Sequence, residues 1–202
     1  MNFDAQTNPV SSTLSRGGSP PSDSSGFSPS DPVANFFADE PVQENHFNPT
    51  VSVGSNIRQP QKLTIWPISD IMFRIQSGTY KVAIEAIRKS EDQEQAKQLK
   101  LELPYFVMAE LSGGRCDENV IHNTGIVFDF DDVPDTESLA VLLLETMPQV
   151  RYIFKSPRAG LKAIILFSKP VSNAALYQRI WKFLAGQVES NTRHKPDNTP
   201  DR

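Results

Sequence analysis

The chain has 202 residues, a formal net charge of −4 at neutral pH and a single cysteine, Cys116. One cysteine excludes a disulfide framework and a four-cysteine zinc cluster, and no apolar run reaches the ~20 residues that a membrane span needs. The first residues lack the basic and apolar regions of a secretory signal. We therefore expect a soluble cytoplasmic protein without a membrane partner. Because the chain is acidic overall, any contact with nucleic acid must be local.

Residues 1–60 and 61–202 differ in composition. The first sixty hold eleven Ser, eight Pro and four Gly, with six acidic and two basic residues. Low apolar content with an acidic bias cannot offset the entropy that is lost on ordering, so we predict a disordered N-terminal tail over 1–60. The remaining residues balance eighteen acids against eighteen bases and are numerous enough for one domain with its own core.

Strand-like and helix-like patterns alternate along the second part of the chain. In chain order we predict a strand at 63–67, helices at 69–76 and 80–89, a polar helix from a capping box at 90–93 to residue 100, strands at 105–109 and 125–131, a helix after Asp135, strands at 150–154 and 161–167, and a helix from residue 172. This order predicts an α/β or α+β sandwich in which helices cover a central sheet.

Asp129 and Asp131 are the strongest candidates for chemistry. Residues two apart on a strand share a face, so both carboxylates should stand together, while Ile126, Phe128 and Phe130 point to the opposite, buried face. Their repulsion, about 3 kcal/mol at ~5 Å and an effective dielectric of ~20, would be removed by a divalent cation. Mg²⁺ prefers such hard oxygen ligands. The spacing equally fits a strand that ends in solvent at a turn, so both interpretations stay open.

The segment 155–162 is a second candidate because it joins two predicted strands and carries three bases. Gly160 permits a close backbone approach or a positive φ. Arg158 and Lys162 could neutralise phosphate groups, and Ser156 could add a hydrogen bond. Lys162 is in phase with the apolar residues of the following strand, so its side chain should project from a fixed position on the sheet. An ordinary solvated hairpin with basic ends has the same composition, and that alternative also stays open.

Several segments in succession resemble one protein family. The most specific are the two-aspartate strand at 124–131 and the Ser-Pro-x-x-Gly-x-Lys loop at 156–162; the earlier ones are Gly78–Lys81, Ile87–Arg88, Lys100 and Leu103–Pro104. Together they resemble the VirE N-terminal domain family of bacterial and mobile-element proteins, which is related to the archaeo-eukaryotic primase-polymerases. The resemblance covers roughly residues 62–202.

The resemblance implies an α+β fold with an RRM-like sheet packed by helices. It implies that Asp129 and Asp131 bind Mg²⁺ or Mn²⁺ and that Ser156, Gly160 and Lys162 contact the incoming nucleotide. Arg158, from its charge and place in the loop, is the further phosphate ligand that we predict. The implied function is that of a DNA primase-polymerase in a phage or mobile-element replication protein. Its substrates would be single-stranded DNA and nucleoside triphosphates, and its partner a helicase domain or subunit.

Two departures from the family pattern affect the expected activity. No histidine lies between positions 122 and 194, so Lys162 would have to take the nucleotide-phosphate role. The third metal-binding acid should come from a later strand, and Asp197 is the candidate in a segment that resembles the approach to that motif. We therefore interpret these residues as a fragment whose active site is incomplete and inactive alone. A non-catalytic nucleic-acid-binding module and a metal-dependent nuclease remain alternatives, since paired aspartates serve phosphodiester hydrolysis equally well.

Overall fold

The computed structural model of the protein describes residues 6–7, 48–158 and 160–197. The helices are α1 (Ile68–Gln76), α2 (Lys81–Lys89), α3 (Gln93–Leu101), α4 (Thr136–Thr146) and α5 (Ala174–Thr192). The strands are β1 (Gln6–Thr7), β2 (Thr50–Gly54), β3 (Leu63–Pro67), β4 (Tyr105–Val107), β5 (Ala109–Leu111), β6 (Val120–Phe130), β7 (Val150–Lys155) and β8 (Leu161–Val171). The described part is thus a mixed α+β fold. Among its helices, none has the length and apolar character that a membrane crossing requires.

The strands form two antiparallel sheets. The main sheet has the order β1-β7-β8-β6-β5, and a small sheet has the order β3-β2-β4. Both β6 and β7 pair antiparallel with β8, so they run parallel to each other on either side of it. Helix α4 lies between β6 and β7 in the chain and connects them. The centre of the main sheet is therefore a β-α-β unit with the later strand β8 inserted between its two strands.

The main sheet is buried on both faces, and alternate residues of β6 divide between them. On one face Ile126, Phe128 and Phe130 pack in a single cluster with residues of α4 and α5, as their spacing predicted. On the other face Val127 and Ile164 pack against the small sheet and α1. Asp129 belongs to the second face, where the apolar packing gives way to a cavity lined by the α2–α3 pair.

Helix ends follow their capping residues. Asp135 caps α4 as predicted, since its carboxylate accepts the backbone N–H groups of Glu137 and Ser138. The capping box predicted over 90–93 is wrong, because the helix begins at Gln93, two residues later than a Ser90 cap would place it. Asp92 is the N-cap of α3 and accepts the Glu94 N–H at 2.8 Å. Aspartate caps as well as serine does, and it lies closer to the helix start.

The segment 105–109, predicted as one strand, is two strands in different sheets. Strand β4 pairs with β2 of the small sheet, whereas β5 pairs with β6 of the main sheet. Met108, between them, is buried. The crossing is tied by the buried Ser52 hydroxyl, which accepts the Leu111 N–H at 3.0 Å. The sequence pattern indicates an extended backbone here, but it does not indicate that the pairing changes from β2 to β6 within the segment.

The predicted boundary at residue 60 is too late. Strand β2 is the central strand of the small sheet, and its Val51 and Val53 are buried. This five-residue strand lies within a Ser- and Pro-rich stretch whose average composition hides it. The rest of the predicted tail, residues 1–5 and 8–47, lies outside the described residues.

Candidate functional site

Asp129 and Lys162 form the centre of the site. The β6–β8 register places them directly opposite each other, and the Lys162 ammonium donates to the Asp129 Oδ2 atom. Both side chains are only partly exposed, 29% for Asp129 and 22% for Lys162. The ion pair therefore holds the lysine at one position on the sheet.

The second carboxylate oxygen of Asp129 is in an unusual state. Its Oδ1 atom is buried and has no hydrogen-bond partner among the described residues. A buried acceptor without a donor carries a desolvation cost of about 1–3 kcal/mol, more when it is charged. A cation or a ligand donor group that reached this oxygen would therefore lower the free energy of the site.

Asp131 follows the end of β6 and lies beside the loop that precedes β8. A Cβ atom added to Gly160 would stand 2.8 Å from both the Asp131 Oδ1 and the Phe130 carbonyl oxygen, and 3.2 Å from the Ser156 Oγ. Glycine is therefore required here by close approach, not by a positive φ, because Gly78 is the one described glycine with that conformation. Asp132 has φ 56° and turns the chain away after the strand.

Asp197 also reaches the end of β6. Its backbone N–H donates to the Asp129 carbonyl oxygen at 2.9 Å. Partial desolvation, followed by the charges of Asp131 and Asp129, raises the pKa of Asp197, while Lys162 opposes this shift. The side chain is exposed, so solvent screening keeps the effect small. The three predicted metal ligands are nevertheless neighbours in the fold.

The loop between β7 and β8 is fastened to the α2–α3 pair by two arginines. The Arg88 guanidinium donates to the carbonyl oxygens of Ser156 and Pro157, both at 3.1 Å. In return Arg158 donates to the Gln93 carbonyl at the start of α3, also at 3.1 Å. One nitrogen of the predicted phosphate ligand Arg158 is thus engaged within the protein. Ser156 is buried, and its N–H donates to the Gly160 carbonyl at 2.7 Å.

Arg88 was not identified by charge or spacing. The sequence signalled it only as part of the Ile87–Arg88 segment of the family resemblance. Its role depends on contacts with residues 68 and 69 positions away, which no local pattern encodes. Arg88 is therefore a positioning residue for the loop, one that only the tertiary structure identifies.

A cavity of about 1330 Å³ opens beside this constellation, between the main sheet, the small sheet and the α2–α3 pair. Asp129 and Lys162 line it, together with Lys155. Its lining holds seven Lys and Arg side chains against three acidic ones. Since residues 61–202 balance their charges, this excess of cations is a local feature and favours an anionic ligand.

The residues present fit the divalent cation that the sequence predicts. Within 48–158 and 160–197, no three His, Cys, Asp or Glu side chains are arranged as a complete metal site. However, Mg²⁺ is usually held by one or two carboxylates, with waters and substrate phosphates completing its shell. The orphaned Oδ1 of Asp129 would supply one such ligand, and Asp131 and Asp197 are the neighbouring carboxylates.

Comparison of the chain with protein-family models, curated proteins and solved structures gave no match in any of the three. The family resemblance accordingly stays a prediction. Inference about function therefore rests on the residues and geometry of the site.

Proposed function

We propose that the protein is a metal-dependent nucleotidyltransferase of the primase-polymerase type. It would act on single-stranded DNA with nucleoside triphosphates in a replication protein of a phage or mobile element, alongside a helicase domain or subunit. The observation that carries this proposal is the pairing of Asp129 with Lys162 on the wall of a cationic cavity, with the Asp131 and Asp197 carboxylates nearby.

The arrangement of the main sheet supports the proposal. The succession β6-α4-β7-β8-α5 forms a split β-α-β unit followed by a hairpin and a second helix, and both helices pack on one face. This succession is the first five elements of the β-α-β-β-α-β order; among the described residues no strand follows α5, and β5 lies beside β6 instead. Asp129 lies on the face opposite the two helices, where a ligand can approach it from the cavity.

The chemistry follows from the atoms at the end of β6. Asp129, Asp131 and Asp197 would hold Mg²⁺ or Mn²⁺, which supplies positive charge for a triphosphate and lowers the pKa of an attacking 3′-hydroxyl. Lys162 would exchange Asp129 for a triphosphate oxygen once the carboxylate is engaged elsewhere. Because both partners are partly buried, this exchange takes place where electrostatic interactions are stronger than in bulk water.

The loop would place the nucleotide relative to those groups. Gly160 lets the loop backbone lie against Asp131, so an incoming phosphate near Lys162 is also near the acids. Arg88 holds the Ser156–Pro157 end of the loop, and Arg158 holds its middle. A fixed loop loses little conformational entropy when the nucleotide binds, which favours a reactive geometry.

Nucleotide incorporation on a primed single-stranded template tests the proposal. We would assay the 202-residue chain and the product of any longer reading frame that contains it, each with Mg²⁺ and with Mn²⁺. Asp129→Asn should lower incorporation at least ~100-fold, because the substitution removes a carboxylate ligand of the metal that stabilises negative charge in the transition state. Asp132→Asn is the matched control and should retain activity, since asparagine tolerates the left-handed backbone conformation that Asp132 adopts. Incorporation that survives Asp129→Asn would refute the metal assignment.

A non-catalytic nucleic-acid-binding module is the second candidate function. Two observations favour a binding module: the described residues hold no complete three-ligand metal site, and Lys162 already neutralises Asp129. It predicts salt-dependent binding of single-stranded DNA without incorporation in any form of the chain. Mg²⁺-dependent cleavage of DNA without added nucleotides would instead indicate a nuclease.

A further inference from the structure

The α2–α3 pair turns a charged face toward the cavity. Residues lining the cavity recur along each helix at the three- and four-residue spacing of a single face: Lys81, Ile84, Glu85 and Arg88 on α2, and Lys97, Lys100 and Leu101 on α3. A helix face that packs on a core is normally an apolar stripe. Four of these seven residues are cations, and the buried residues of the two helices, Ile87 and Ala96, lie outside the cavity lining. The face turned to the cavity is therefore not the one that packs on the core.

Four of the seven cavity cations are already engaged. Lys162 pairs with Asp129, and Lys155 pairs with Glu137 at 3.1 Å. Arg88 binds the loop carbonyls, and the Arg115 guanidinium lies 5.4 Å from the centre of the Tyr105 ring. These four thus already have partners among the described residues.

Three lysines remain, all on the α2–α3 face: Lys81, Lys97 and Lys100. Lys97 approaches Glu94 only at 4.0 Å, with both side chains about two-thirds exposed, and such a pair contributes little. Neither Lys81 nor Lys100 forms an ion pair with a described residue. Their charge is therefore available to a ligand, and mutual repulsion is reduced when that ligand is a polyanion.

We propose that Lys81, Lys97 and Lys100, here named the lysine wall, bind the phosphate backbone of single-stranded nucleic acid. The inference rests on the proposed function only in placing the nucleic-acid strand in the same cavity as Asp129. The volume of about 1330 Å³ exceeds the ~300–1,000 Å³ typical of a small-molecule site, so it has room for more than one nucleotide. Tyr80 lines the same cavity beside Lys81 and offers a ring on which a base can stack.

The lysine wall differs from the Lys162 site in what it recognises. Lys162 lies beside the acids and would meet the triphosphate of one nucleotide. The lysine wall lines the same cavity from α2 and α3, whereas Lys162 belongs to β8, and it meets a repeated phosphate independent of base and of any metal. Binding to it should therefore persist in EDTA and depend steeply on salt.

The test is fluorescence anisotropy of a short labelled oligothymidylate with the full chain in EDTA, without nucleotides, over a series of KCl concentrations. Each phosphate contact on a single strand contributes about −0.7 to the slope of log K against log salt. The triple variant Lys81→Ala/Lys97→Ala/Lys100→Ala should therefore flatten the slope by about 2 and weaken binding at least ~10-fold at low salt. Lys89→Ala, an exposed lysine of α2 outside the cavity lining, is the matched control and should bind as the unsubstituted chain does.

Several outcomes would overturn the lysine wall. They are an unchanged slope in the triple variant, an equal loss in Lys89→Ala, or displacement of the oligonucleotide by an equimolar nucleoside triphosphate. Failure of the proposed function is a separate result. If no form of the chain incorporates nucleotides but binding still depends on the three lysines, the enzyme proposal falls and the lysine wall stands. A circular dichroism spectrum and melting temperature matching the unsubstituted chain show that a variant has folded.

Discussion

Asp129 and Lys162 face each other across two neighbouring antiparallel strands, and their side chains form an ion pair on the wall of the cavity. The pairing register, not a flexible loop, sets this geometry. The lysine neutralises one oxygen of the carboxylate, and the other has no hydrogen-bond partner in the part of the chain that the structure describes. Under the proposed function, we therefore expect the pair to exchange partners when a cation and a phosphate enter together.

The first prediction concerns the energy of this pair. Either Asp129→Asn or Lys162→Met leaves its partner partly buried and alone, and we expect each to lower the unfolding free energy by about 1–2 kcal/mol, below the value for fully buried pairs. The loss of unfolding free energy in the double variant should be about 1 kcal/mol smaller than the sum of the two single losses, as measured by urea denaturation. Additive losses would show that the pair does not couple.

The second prediction compares two glycines. Gly160→Ala should displace the loop, since its Cβ would stand 2.8 Å from Asp131 Oδ1 and from the Phe130 carbonyl. We expect a loss of about 1–3 kcal/mol in stability and a loss of nucleotide incorporation. Gly186→Ala in α5 is the control: no atom lies within 4 Å of its Cβ position, so a gain of about 0.5–1 kcal/mol is expected. A neutral Gly160→Ala would mean that the loop adjusts freely.

The third prediction tests Arg88 as a positioning residue. Arg88→Ala removes two hydrogen bonds to loop carbonyls, so the loop should become more sensitive to trypsin at Arg158. The KM for the nucleotide should rise about tenfold, because the loop no longer starts in place. Arg88→Lys should rescue partly, since an ammonium can reach one carbonyl but not bind both as a fork. Equal cleavage rates in all three forms would contradict this role.

The fourth prediction concerns pH and Asp197. Because its pKa in the fold is raised above the ordinary 3.8, its contribution to stability is present below that pH and is lost as pH rises through the raised value. At neutral pH the charged side chain thus opposes folding, and Asp197→Asn should raise the Tm by about 1 °C, with no change at acid pH. Mg²⁺ should raise the Tm of the unsubstituted chain but raise it less in the variant. A lower Tm for Asp197→Asn at neutral pH would contradict the sign.

The parts of the fold that local patterns could predict were those with strict periodicity. Alternation in β6 correctly separated Asp129 from its apolar neighbours Ile126 and Phe128. The phase of Lys162 in β8 placed it on the sheet, but its partner followed only from the β6–β8 register. Periodicity assigns a face to each residue, whereas register depends on the packing of the whole sheet.

The missed features all depend on distant contacts. Strand β2 was hidden by the composition around it, and it is stabilised by pairing with β3 and β4. The resemblance suggested Asp197 as a third metal ligand, but the backbone hydrogen bond that joins it to β6 links residues far apart in sequence and follows from no local pattern. Composition and spacing are local quantities, so they could suggest which groups were chemically suitable but not which of them meet.

The continuous segment of β4, Met108 and β5 has a mechanical consequence, because it belongs to both sheets that enclose the cavity. Sliding one sheet over the other would have to distort the backbone at the buried Met108, so these two walls should move as one stiff frame. The α2–α3 pair belongs to neither sheet and is fastened by side-chain contacts, those of Arg88 and Arg158 with the β7–β8 loop and the Arg58–Glu102 ion pair. We therefore expect the cavity to widen and narrow by motion of these two helices, while the two sheets keep their relative positions.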